Sequence, residues 1–477
     1  MKGFGRNTVE DFAHGMPPRA FGTEVEFTHP AHIKSFVSQQ NLSRKLVRYI
    51  DPQYLVSSGR DERISAVIST GGELYLDSTV EYATPECRNP QELVLHERAG
   101  EQITIDTIDR IAVAARFPRQ DISKRSGYPD MTVGDKKFVE STIGYHENYT
   151  SMNVFSPIVS PKERTDAMRQ DVNARCLSDF LVLRKLIDGA GMVADGHYSL
   201  TQKPKRVNYT YYQPNPNNEH WGQEPFRVHG CRLEIRSGEN SKSDWATEFT
   251  VGLTSLVVRL VEHDKYPQHL LLNEPNVALH ALARDPLSYV KLESGVQMKA
   301  VDILRDIVDE AYQLGRNYDE FPEFEERAAL DFLKFYDDLH KISLPDNDTK
   351  ALADRINWAG RYDYFNRRGI THDSFQNVTY EMVRQDLAWD RLGDRDIARI
   401  YFSKLGETAL KVDIPGPPET RARPRVEIAG RLYREGMLDK VEWHQVRVYA
   451  TDHYLLGGPL NTEPILESEL EKLKKSA

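Results

Sequence analysis

Three cysteines in 477 residues are few, and Cys87, Cys176 and Cys231 lie far apart. The number is odd and the spacing suits no zinc site, so a disulfide scaffold is excluded and a reducing, cytoplasmic setting is expected. Long apolar runs are also missing. Hydrophobic residues make up 39% of the chain, mean hydropathy is -0.58, and no stretch approaches a membrane span. The opening MKGFGRNTVEDF has no apolar segment, so no secretory leader is expected. Positive charge is in the minority, with 62 Lys and Arg against 72 Asp and Glu. The net charge of -10 argues against a general nucleic-acid binder. Repeats and low-complexity tracts are absent. What is left is a soluble globular chain long enough for a large core and two or three domains.

The acidic residues are patterned. Residues 71–87 read GGELYLDSTVEYATPEC. The Gly-Gly pair suits a tight turn. Glu73, Tyr75 and Asp77 then alternate with Leu74 and Leu76, which puts the three polar groups on one strand face. A second short strand carries Glu81. Upstream, FGTEVEF at 21–27 places Glu24 and Glu26 two apart, again on one face. Unpaired carboxylates are costly to bury, so these acids face either water or cations. Glu24, Glu26, Tyr75, Asp77 and Glu81 on one side of a sheet would suit a hard divalent cation such as magnesium, shared with phosphates.

Taken in order, residues 1–18 are a polar arm and 20–27 a strand. The pattern predicts a helix over 32–49, a hairpin over 63–76 around Thr70-Gly71-Gly72, a long helix over 90–116 opened by Pro90, and an extended stretch over 136–155. A helix over 161–188 is stopped at Gly189-Ala190-Gly191 by a left-handed glycine cap. Short strands and loops fill 192–240, and a helix over 244–263 buries Phe249, Leu253, Leu256 and Leu260. Residues 284–400 read as mainly helical, with a loop at 345–349. A Pro-rich break at 414–418 introduces a small C-terminal module with strands around 443–450 and a charged terminal helix.

The motifs GTEVEF, LYLD, EYATPEC and, at 144–149, GYHENY resemble those of the Pup ligase/deamidase family, whose members attach the prokaryotic ubiquitin-like protein Pup to lysines or remove it. Phe180-Leu181-Val182 with Arg184, Gly189-Ala190-Gly191, Arg232-Leu233 with Gly238, 385–389 (QDLAW) and Thr420-Arg421-Ala422 extend the likeness. No motif is long; their order and spacing are specific. The resemblance implies an α+β fold with a glutamine-synthetase-like antiparallel sheet, concave at the active site, flanked by helices and followed by a small C-terminal domain. It also implies an extension at 1–18, a catalytic domain at 19–405 and the C-terminal domain at 406–477.

The implied activity is that of an ATP- and magnesium-dependent carboxylate–amine ligase. It phosphorylates a glutamate side chain of an acidic Pup-like modifier, and a lysine of a protein substrate then attacks. Carried over by motif, Glu24, Tyr75 and Glu81 contact metal, Glu26 is a further ligand, and Thr84 and Trp443 contact nucleotide. Asp77 matches the catalytic aspartate that takes a proton from the attacking lysine. His146, Glu147, Arg232 and Arg236 are candidate phosphate or substrate contacts. Two basic clusters are candidate modifier grooves: Lys203, Lys205 and Arg206, and Arg361, Arg367 and Arg368 beside Tyr362, Tyr364 and Phe365. Each residue has a plainer reading: Asp77 as a metal ligand or turn residue, His146 as a structural hydrogen bonder, Trp443 as core, and the arginines as ion pairs.

Two departures stand out. Glu73 occupies the position of a family arginine that contacts ATP, which favours a nucleotide- or modifier-holding protein without catalysis. Ser78-Thr79-Val80 is shorter than the family's segment before the glutamate, where a His-Pro is usual. GTEVE is closer to the depupylase, a hydrolase of the isopeptide. That enzyme carries a long inserted loop, whereas only 52 residues separate Glu24 from Asp77 here, which is ligase-like.

Overall fold

A computed structural model describes residues 18–27, 46–58, 65–76, 79–114, 116, 122–124, 127–128, 131–133, 136–138, 141–142, 144–151, 171–194, 196–203, 225–229, 231–318, 320–342, 349–370, 372–391, 397, 401, 414–435, 437–442, 445–448 and 453–456. Most of the arm, residues 32–45 of the helix expected over 32–49, nearly all of the 345–349 loop and the terminal helix lie outside these residues.

Strands β1 (Phe21–Phe27), β2 (Leu55–Ser58), β3 (Ser65–Ile68), β4 (Glu73–Leu76) and β5 (Val80–Ala83) precede the long helix α1 (Pro90–Ala114). Four short strands follow, β6 (Gly127–Tyr128), β7 (Met131–Val133), β8 (Lys136–Phe138) and β9 (Ser141–Thr142), and then β10 (Tyr145–Thr150). The middle of the chain holds α2 (Val172–Leu183), α3 (Lys185–Asp188), β11 (Met192–Ala194), β12 (His197–Ser199), β13 (Phe226–His229), β14 (Arg232–Ile235) and α4 (Asp244–Glu262). Next come α5 (Pro275–Arg284), β15 (Tyr289–Lys291), β16 (Gln297–Lys299), α6 (Ala300–Arg316), α7 (Glu323–Leu339), α8 (Lys350–Ala353), α9 (Asn357–Asn366) and α10 (Tyr380–Asp390). The chain closes with α11 (Ala422–Arg434), β17 (Leu438–Glu442), β18 (Gln445–Val448) and β19 (His453–Leu455). The fold is α+β, with an eight-stranded sheet in the order β13-β14-β10-β1-β5-β4-β3-β2. The β1–β5, β5–β4, β4–β3, β3–β2 and β13–β14 pairings are antiparallel.

The chain divides into two compact units. One, the acid-strand unit, takes Ala20–Arg125, Ile143–Glu147 and Leu387–Ala477. Alternation decides its core. Val25, Phe27, Leu74, Leu76, Val80 and Tyr82 point from one sheet face onto Ile103, Ile108 and Ile111 of α1. Pro90 opens α1, where its missing N–H costs nothing, and Asn89 Oδ1 accepts the Glu92 N–H at 2.8 Å. Gly100 is needed there because a Cβ would lie 1.9 Å from the Tyr82 ring. The β3–β4 turn puts Gly71 at φ +85, which glycine adopts without strain. In the C-terminal part, Ile428 and Leu432 of α11 pack with Leu438, Val446 and Leu456. Helix α11 was not legible in the sequence, because Pro424, Gly430 and four arginines break its apolar pattern.

The other, the helical unit, takes Met1–Arg19, Ser126–Thr142 and Asn148–Asp386. Helix α4 is buried on nearly all sides, and Ser243 Oγ caps it by accepting the Ala246 N–H at 3.1 Å. Val301, Leu304, Ile307, Val308 and Ala311 give α6 its buried stripe. The expected helical run after 284 is interrupted by the β15–β16 hairpin. The glycine stop after α3 also differs from expectation. Gly189 is extended, at φ -60 and ψ 129, and its lack of a side chain serves a close approach, since a Cβ would lie 2.4 Å from the Leu200 carbonyl oxygen. Of the two glycines in this stop, Gly191, at φ +72, is the left-handed one.

Candidate active site on the acid strands

Register brings the predicted acids into rows. Glu26 is directly opposite Glu81, and Glu81 is directly opposite Tyr75. One rung along, Ala83 lies between Glu24 and Glu73. Directly opposed residues hold their Cβ atoms about 5 Å apart, so Glu24, Glu26, Glu73, Tyr75 and Glu81 share a face. It is the face opposite the α1-packed core. Glu24, Glu26, Glu73 and Tyr75 are half-buried there, while Glu81, on the central strand of the row, is only 5% exposed.

His146 joins them from β10. Its Nδ1 lies 2.7 Å from Glu24 Oε2, and its Nε2 lies 3.9 Å from Glu26 Oε1. Glu26 Oε2 also accepts the Gly144 N–H at 2.7 Å. Strand alternation turns the neighbouring Glu147 to the face of Tyr145, away from His146, so it does not join this group. Thr84 is buried, and its hydroxyl oxygen accepts the Thr23 N–H at 2.8 Å, a tie between β1 and the end of β5.

Behind the sheet, α1 supports these strands with a second polar cluster. Glu97 accepts the Tyr145 hydroxyl at 2.9 Å and the Thr23 hydroxyl at 3.4 Å. Glu101 pairs with Lys124 at 2.5 Å and Arg98 at 2.7 Å. Burial pushes the Glu97 carboxyl up. For Glu101 burial acts the same way, but Arg98 and Lys124 outweigh it and hold the carboxyl at about 2.

The profile of the family described as Pup-ligase protein matches residues 16–447. The chain belongs to the Pup ligase family. Two curated family members are the Pup–protein ligases of Paenarthrobacter aurescens and Kineococcus radiotolerans. The first is 24% identical over 92% of this chain and 95% of its own, the second 27% over 91% and 94%. Among solved structures of the family, the complex of Pup with its ligase PafA aligns at a TM-score of 0.69 and 22% identity, covering 98% of this chain and 94% of that one. PafA in complex with ADP aligns at 0.65 and 21% identity, covering 91% and 93%. Both share the fold of this chain.

Asp77, Lys205, Arg206 and Trp443 lie outside the described residues. Arg232 and Arg236, in the helical unit, pair with Glu234 at 3.2 and 3.5 Å. Two of the basic-groove residues are corrected. Lys203 is 1% exposed, and Arg361 is fully buried with its guanidinium 2.5 Å from Asp386, so neither offers charge to a partner. A sealed guanidinium needs a carboxylate beside it, and Asp386 meets that need inside the core. Arg367 is exposed and pairs with Asp363 at 2.7 Å, while Arg368 lies over the Tyr364 ring at 3.5 Å. The sequence missed the role of His146 as a neighbour of Glu24, because the two are 122 residues apart. Among the described residues no helix is long and apolar enough to cross a membrane.

Proposed function

We propose that this chain is an ATP-dependent Pup–protein ligase that uses magnesium on the acid strands. The row Glu26–Glu81–Tyr75, inside the segment that matches the family, carries the reading. Like charges directly opposed across strands destabilise a sheet, and an added cation reverses the sign. The donor set fits magnesium: three carboxylates and a phenol are oxygen ligands, with one imidazole beside them. Glu24, Glu26, Tyr75 and Glu81 would hold the metal, which neutralises and aligns the ATP phosphates when bound. The His146–Glu24 hydrogen bond fixes the carboxylate's orientation. Thr84 and Trp443 would contact the nucleotide.

The γ-phosphoryl group passes to a glutamate side chain of the acidic modifier and ADP leaves. A substrate lysine then attacks the acyl carbon, phosphate departs and an isopeptide bond forms. A protonated amine has no lone pair, so Asp77 takes the ammonium proton first. The carboxylate of Glu73 at the family's arginine position would repel phosphate, so the reading assigns charge balance there to the metal. The division into a catalytic domain at 19–405 and a C-terminal domain at 406–477 is part of the same proposal.

The test incubates the protein with magnesium-ATP, an acidic modifier ending in glutamate and a lysine-bearing protein, and reads ADP and conjugate by mass spectrometry. Asp77→Asn should lower turnover by about 10²–10⁴-fold with ATP affinity kept. Glu81→Ala should weaken magnesium-dependent nucleotide binding itself. Near wild-type turnover in Asp77→Asn would remove the catalytic assignment, and release of modifier from a conjugate would favour the hydrolase.

A further inference from the structure

The turns at the ends of β4 and β5 are joined by a side-chain clamp that the reaction does not use. Glu86 follows β5 and pairs with Arg425 of α11: Nη1 donates to Oε1 at 3.0 Å, and Nη2 lies 2.9 Å from Oε2 as an ion-pair contact. Arg421 Nε lies 2.7 Å from the same Oε1, and the Thr420 hydroxyl donates to the Glu86 carbonyl at 2.8 Å. Arg425 Nη2 also donates to the Gly71 carbonyl at 2.8 Å, in the turn that opens β4. Packing is tight: a Cβ on Gly71 would lie 3.1 Å from both Ala422 and Pro417. The far side of the 84–87 segment is held by β1, through Thr23 and Thr84 and through the paired backbones of Phe21 and Cys87, at 2.7 and 2.8 Å.

The clamp therefore grips both site strands at one end. Glu73 and Ala83 pair there, and Tyr75 and Glu81 pair one rung further in. At about 3.3 Å per residue, the row is about 7 Å from the end of the strands, and four-residue strands have little length over which to absorb a shift. Arg425 is 2% exposed. Burial pushes the Glu86 carboxyl up, but Arg425 and Arg421 outweigh it and hold it below the usual carboxylate range, so the pair stays charged. A buried ion pair adds little net stability over an apolar replacement.

We propose that Arg425, through Glu86 and the Gly71 carbonyl, is a positioning residue that sets the spacing of Glu81 and Tyr75 for magnesium-dependent nucleotide binding. This rests on the magnesium reading above. The test measures binding of a fluorescent ATP analogue to the full-length protein across a magnesium titration, beside thermal melting. Partners behind metal ligands typically change affinity about 10–100-fold, and this one acts at one remove. Arg425→Gln and Glu86→Gln should raise the magnesium half-saturation about tenfold, and Arg425→Lys, which keeps the charge but loses the guanidinium that reaches Glu86 and Gly71 together, about threefold. Unchanged half-saturation in Arg425→Lys and Glu86→Gln, with only melting lowered, would make the clamp a structural brace and overturn the proposal. Glu81→Ala separates the two readings. If it leaves the titration unchanged, the magnesium reading fails and the clamp's role with it. If it abolishes the response while the clamp variants do not alter it, the clamp alone fails.

Discussion

The two units each contain a polar cluster built around carboxylates, yet the clusters have opposite character. In the helical unit, Lys185 meets Asp188 at 2.8 Å and the Ser237 carbonyl at 2.6 Å, Arg184 meets Asp188 at 3.2 Å, and Glu239 accepts the Ala190 and Gln202 N–H groups at 2.8 and 3.0 Å. Two carboxylates face two cations, and all four side chains are sealed. In the acid-strand unit, Glu24, Glu26 and Glu81 share a partly open face with one imidazole and one phenol. Charge balance separates them. A balanced, closed cluster spends its interactions on holding the chain together, while an acid-rich, half-open one keeps unbalanced negative charge facing outward.

The contrast is broken most strongly by unbalancing the sealed cluster. Lys185→Met leaves Asp188 and Glu239 buried without their ammonium and should cost about 3–5 kcal/mol. Urea denaturation reads this directly, and a loss below about 1 kcal/mol would mean that the cluster is not held by its charges.

Asp179 sharpens the comparison from within the helical unit. It is sealed, its Oδ2 accepts the Leu272 N–H at 2.7 Å, and burial pushes it up to about 8 despite that hydrogen bond and Arg175. The folded state therefore keeps a proton that the unfolded chain loses near 3.8, so the associated stability is full below that pH and is lost as pH rises to about 8. Asp179→Asn is neutral throughout. It should gain up to several kcal/mol at pH 8, with most of the gain gone by pH 4. Equal gains at both pH values would refute the linkage.

The smallest effect belongs to the open cluster. Glu24→Gln keeps an acceptor for His146 but removes one of the mutually repelling charges. Without metal it should raise stability by about 0.5 kcal/mol, and with magnesium the order should reverse. Melting curves in EDTA and in magnesium that give the same ranking would contradict a cation site.

Much of the acid-strand unit was legible because local patterns suffice there. The alternation in 21–27 and 73–76 gives both the strands and the shared face of Glu24, Glu26, Glu73 and Tyr75. Pro90 announces α1, and the glycines at 71–72 announce the turn. The basic clusters misled because clustered cations look alike in sequence whether they are exposed or sealed. Arg361 lies within α9 and Arg367, six residues on, caps its C-terminal end, yet one is fully buried against Asp386 and the other is exposed.

The sequence alone thus determined the periodic elements, the acidic face and the family resemblance, because side-chain periodicity and motif order are properties of neighbouring residues. Only the tertiary structure decided the partners: Glu26 with Glu81, Glu24 with His146, Glu86 with Arg425, and Lys203 inside the core. Those contacts join residues tens to hundreds of positions apart. Register and helix packing choose them by burying apolar faces, and a charge's role follows from what that burial places beside it.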